Sequence, residues 1–230
     1  MSARCALVAT ALLLVTWPQA AHAEPAAPAA PADCRARLAW IDARLGHAGH
    51  RARVWSWTWG AFFGAATVGS LAALPFVDHE ERPDWVANAA TSAAGLVPIL
   101  LLPLDVMHDS DALHAELAAL PPEADACALL PSAEARLARD AASEAEGRAW
   151  WNHALNVAVN GGAGLVLGLG YDRWQSAVLT AVVGSAIGEL MIFTQPSDAE
   201  DDARAYPGAS FALVPRVSRE GVGLAVVGSF

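Results

Sequence analysis

Four long stretches of the chain carry almost no charge, and their lengths are alike. Residues 54–77 make one of 24 residues, 85–104 one of 20, 149–171 one of 23 and 174–197 one of 24, the last interrupted only by Glu189. A helix rises about 1.5 Å per residue, so each stretch matches the roughly 20 residues that cross a bilayer core. Trp55, Trp57, Trp59, Trp85, Trp150, Trp151, Tyr171 and Trp174 gather at the ends of these runs. Amphipathic rings prefer the headgroup layer, so this placement suits membrane spans. The turns Asp78–Asp84 and Tyr171–Trp174 are short, which pairs the spans into two antiparallel hairpins, 55–104 and 149–197. The competing reading is a soluble helical domain whose core helices are apolar on every side.

The remaining segments show other periods. Glu24–Ala32 is a Pro/Ala linker, and Asp33 is placed to cap a helix from Cys34 to Leu45 with Leu38, Ile41 and Leu45 on one face and Gly46 at its end. Together 24–54 forms a linker and an outer helix. Residues 105–148 read as two amphipathic helices: one capped by Asp109 or Ser110 and stopped at Pro121-Pro122, the other starting at Ser132 and leading into the third span. The tail, 198–230, contains two β-prone runs, Ala209–Val217 and Val222–Phe230, around a Ser218–Gly221 turn. The expected fold class is therefore an all-α membrane protein: four transmembrane helices in two antiparallel hairpins, amphipathic outer helices and a small C-terminal β-hairpin.

Composition supports the membrane reading and narrows the partners. Of 230 residues 55% are hydrophobic and 17% charged, an apolar shift from ordinary soluble domains. The 14 basic residues are all Arg against 24 acids, a net charge of −10, which argues against nucleic acid as partner. The expected partners are the lipid bilayer and an envelope protein or a second copy of the chain. Residues 1–23 resemble a secretory signal: Arg4, an apolar run from Ala6 to Trp17, Pro18, then Ala21-His22-Ala23. Export would leave Cys34 and Cys127, which read either as a disulfide or as two buried thiols. It would also put 24–54, 105–148 and 198–230 on the periplasmic side of an inner membrane. Arg51 and Arg53 on that side, and four acids in the first turn, argue for the opposite orientation.

Candidate chemistry is sparse. Small residues recur at close-packing spacing as Gly60/Gly64, Gly161/Gly164/Gly168 and Gly184/Gly188, suited to packing within the bundle or to self-association. The third stretch carries Asn152, His153, Asn156 and Asn160, and the fourth Glu189; polar groups at membrane depth should face one another. Depth argues against a direct His153–Glu189 pair, since His153 begins its span and Glu189 lies nearer the end of an antiparallel neighbour; both would then lie toward one outer surface, close enough to couple but near water. The cluster reads either as a proton- or ligand-handling pocket or as hydrogen bonding that fixes helix register. Asp105, His108, Asp109, Asp111 and His114 make an acid/His run that reads as helix capping, with metal binding as the alternative. The phosphate-loop, zinc-protease and nucleophile-elbow motifs are absent, and no metal or cofactor is expected. The block Trp151-Asn-His153, Asn156, Asn160, Gly168–Arg173, Gly188-Glu189 and Thr194-Gln-Pro196 resembles an uncharacterised family of bacterial envelope proteins. That resemblance implies no activity, only that the block works as a unit. The expected function is a non-enzymatic structural or interaction protein of the cell envelope; the alternative is a membrane-embedded enzyme or transporter using Glu189, His153 and the Asn stripe.

Overall fold

A computed structural model describes residues 33–206 in full and the backbone of 210–218 and 221–229. The expected signal, 1–23, and the linker to Ala32 lie outside the described residues. Helix α1 (Cys34–Ala73) opens on Asp33, whose carboxylate accepts the Ala36 N–H at 3.2 Å. It then runs 40 residues, about 60 Å, without a break. The expected stop at Gly46 does not occur. Glycine weakens a helix by only about 1 kcal/mol, and Gly49 one turn on is where α3 (Val106–Ala118) presses in: a Cβ there would collide with Ser110 Oγ. Tertiary contact outweighs local propensity here.

A 3₁₀ turn (Leu74–Phe76) and the acidic turn lead into α2 (Arg82–Leu101), with Pro83 in its first turn, where a missing N–H costs nothing. Helix α3 begins at Val106 rather than at the expected Asp109 or Ser110 cap, so Ser110 is buried inside it. After a 3₁₀ turn (Ala126–Leu129) comes α4 (Leu130–Gly147). It does not flow into the third apolar stretch: the chain breaks at Arg148 and restarts as α5 (Trp150–Leu165). Helix α5 ends in a π turn (Val166–Gly170), followed by α6 (Trp174–Phe193) and the short α7 (Asp198–Ala205). Beyond it, β1 (Ser210–Ser218) and β2 (Gly221–Ser229) run antiparallel, Ser210 opposite Ser229.

The helices sort into two regions. The first half of α1 packs with α3, α4 and α7 into a head around an apolar core. Leu38, Ile41 and Leu45, the face read from the sequence, sit in it with Ala48, Ala52, Val106, Leu113, Ala133, Leu137 and Tyr206. Ile41, Leu45 and Leu113 are fully buried, each stabilising the head by about 1.5–3 kcal/mol. The second half of α1 lies along α2, and α5 lies along α6. Their outer faces carry the large apolar side chains left in the open, from Trp57 and Phe76 to Leu169, Val182 and Phe193.

This arrangement corrects the expected fold class. Three helical stretches, not four, are long and apolar enough to cross a membrane: Cys34–Phe76, Arg82–Ala118 and Trp174–Ala205. The expected third span falls out because Asn152, His153, Asn156 and Asn160 dilute its hydropathy and the π turn shortens the regular helix to 16 residues. The body of the protein, 33–206, is all-helical and contains no β-hairpin.

Candidate functional site

The polar residues of α5 project onto α6. His153 Nδ1 lies 2.5 Å from Glu189 Oε2: the two meet directly, where the depth argument allowed coupling without a direct pair. The restart of the chain at Trp150 sets α5 in a register that brings its first turn level with the last turn of α6. Asn156 donates to Glu189 Oε1 at 2.9 Å and to the Ser185 carbonyl at 2.9 Å. Asn160, one turn further, donates to Asn156 Oδ1 and its carbonyl at 2.9 and 3.0 Å. The His153 ring also rests against Phe193, centroids 5.3 Å apart. Asn152 points elsewhere and caps α4, donating to the Glu146 and Gly147 carbonyls at 2.8 and 3.0 Å.

Glycines make this ladder possible. A Cβ on Gly184 would collide with the Asn160 amide, and one on Gly188 with the Asn156 amide. Gly164 lets the backbones meet, since a Cβ there would lie 2.7 Å from the Ala177 carbonyl oxygen, and Gly168 receives the Trp174 ring. Gly60 has only ordinary contact with Ile99, and nothing lies within 4 Å of a Cβ on Gly64 or Gly161. The spacing alone did not separate glycines that seat an amide from those facing open space.

Between the α1–α2 pair and the α5–α6 pair lies a cavity of about 920 Å³. Phe63, Ala66, Ile99, Leu155, Val159 and Ile187 supply apolar wall, and Asn156 and Asn160 reach its side. At the head end it meets Trp55, Asp105, Ser143, Glu146 and Gln195. The far ends of the two helix pairs are tied by Arg173, which pairs with both Asp84 oxygens and donates to the Glu80 carbonyl at 2.7 Å. Asp172 adopts φ 55° in that turn, a conformation Asp tolerates.

The head adds a second polar cluster. Cys34 and Cys127 form a disulfide, Cα atoms 5.7 Å apart, joining the start of α1 to the turn before α4. Arg37, Arg44 and Arg51 pair with Glu134, Asp202 and Asp198. Asp140 and Glu144 are fully buried on α4. Burial first, then the neighbouring Asp109, pushes the Asp140 carboxyl up to about 9; burial and then Asp198 push Glu144 up to about 8. Burial and the acceptor Glu134 raise the Tyr206 phenol to about 12. These acids were missed from the sequence, although Ala133, Leu137, Asp140 and Glu144 keep the 4-3-4 spacing of one buried helix face.

In the acid/His run, Asp109 pairs with Arg139 and Asp111 with Arg53, while His114 lies 3.5 Å from Asp42. Among the described residues no group of three or more His, Cys, Asp or Glu converges to hold a metal ion. No protein-family model, curated protein or solved structure matches the chain.

Proposed function

We propose that the chain is a non-enzymatic integral membrane interaction protein of the bacterial cell envelope, seated in the inner membrane with its head in the periplasm. The carrying observation is the partition of surfaces. Among the described residues, large exposed apolar side chains are confined to the second half of α1, α2 with the turns on either side of it, and α5–α6, whereas the head has an apolar core, ion pairs and a disulfide. Exposed apolar area of that extent is stable in lipid and unfavourable in water. A disulfide persists in an oxidising compartment, which supports the periplasmic side for the head and accords with the signal-like residues 1–23. The three long apolar stretches anchor the head, and the head or a second copy of the chain provides the contact surface.

A second reading, a membrane-embedded enzyme or transporter, is favoured by one observation, the direct His153–Glu189 contact held by Asn156. An ionisable pair at membrane depth is a recurrent feature of proton pathways. The two readings separate by experiment. Carbonate washing of membranes from cells making the full chain should leave it in the pellet. Cys34 and Cys127 should take up a membrane-impermeant thiol reagent only after reduction. Release into the wash sinks the membrane reading, and labelling without reductant sinks the periplasmic disulfide. Glu189→Gln and His153→Ala should preserve assembly and cellular phenotype; loss of phenotype with assembly intact favours the second reading.

A further inference from the structure

We propose that the cavity between the two helix pairs holds one membrane phospholipid with an amine-bearing head, its acyl chain between the pairs and its head against the base of the helical head region. The inference rests on the membrane reading above. Two observations carry it.

First, the cavity is of ligand size, about 920 Å³ against the roughly 300–1,000 Å³ of small-molecule sites. Its wall along Phe63, Ala66, Ile99, Leu155 and Val159 is apolar. Left empty, such a wall loses its dispersion contacts, and water finds too few partners there; an acyl chain from the surrounding bilayer fits both demands.

Second, the end near the head is charged with one sign only. Asp105 and Glu146 line it, and neither carboxylate has a hydrogen bond or ion pair among the described residues. No Arg lines the cavity, and the chain has no Lys at all. An ammonium head is therefore attracted there and an anionic head repelled.

An ammonium head drawn to the acidic end and an acyl chain along the apolar wall together describe an amine-headed membrane lipid.

The test uses the full chain reconstituted in bilayers of equal parts phosphatidylethanolamine and phosphatidylglycerol, re-extracted in mild neutral detergent and weighed by native mass spectrometry. The expected result is one lipid per chain, phosphatidylethanolamine retained over phosphatidylglycerol by about tenfold, the scale of one charge-assisted hydrogen bond. The double variant Asp105→Asn/Glu146→Gln should keep a lipid but lose the preference. Filling the cavity with Ala66→Phe and Ala94→Leu should abolish retention. Equal retention of the two lipids by the unaltered protein, an unchanged preference in the double variant, or no retained lipid overturns the proposal. A chain released by carbonate refutes the membrane reading itself; one that stays integral yet shows no lipid preference refutes the cavity assignment alone.

Discussion

At the scale of single residues, the same residue type does opposite things according to what stands across from it. Gly184 and Gly188 leave room for the Asn160 and Asn156 amides, whereas Gly64 and Gly161 face open space. Gly188→Ala should therefore destabilise by about 1–3 kcal/mol, because it displaces the amide that holds Glu189. Gly64→Ala and Gly161→Ala should be neutral or stabilise by up to about 1 kcal/mol through helix propensity; thermal unfolding in one detergent compares all three. Asp140 and Glu144 give a pH signature of unusual sign. Their folded-state values, about 9 and about 8, stand above the ordinary carboxylate range, so the folded head binds more protons than the unfolded chain. Their contribution is full below about pH 4, declines as pH rises and is gone above about pH 9. Asp140→Asn with Glu144→Gln should flatten the decline and raise stability at pH 8, read by denaturant unfolding between pH 5 and 9.

At the scale of elements, the long helix α1 links head to apolar layer, and its continuity depends on glycine contact rather than glycine avoidance. Gly49→Ala should weaken the head by about 1–3 kcal/mol through collision with Ser110, although in isolation it improves the helix. The disulfide clamps the start of this helix to the turn before α4 across 93 residues of sequence. Replacing both cysteines by Ser should cost about 2–5 kcal/mol and lower the melting temperature of the head. The apolar face of α1 is legible in the sequence because Leu38, Ile41 and Leu45 repeat at helical spacing. The ends of α1 and α3 are not, because Gly46 and Asp109 carry local signals that packing overrides. Residues 149–171 look like one span because absence of charge is alike whether a helix is regular or ends in a π turn.

At the scale of the whole molecule, one end of the apolar layer is fastened by the head, and at the other Arg173 pairs with Asp84 and donates to the Glu80 carbonyl. That pair is partly exposed, so Arg173→Ala should cost no more than about 1 kcal/mol overall. It should still speed hydrogen exchange in residues 78–84 and 171–174 while leaving exchange in the head core unchanged. Long uncharged helices, two short turns that fold them back and a pair of cysteines beyond residue 23 are all legible in the sequence alone. Those properties follow from composition and spacing, which act locally along the chain. Packing between helices sets the rest: His153 meets Glu189, Gly184 and Gly188 seat amides, Asp140 and Glu144 are buried, and a cavity separates the two helix pairs. Each of these depends on the register and distance between helices far apart in sequence, which side-chain volume and hydrogen bonding set across the interface and no single segment encodes.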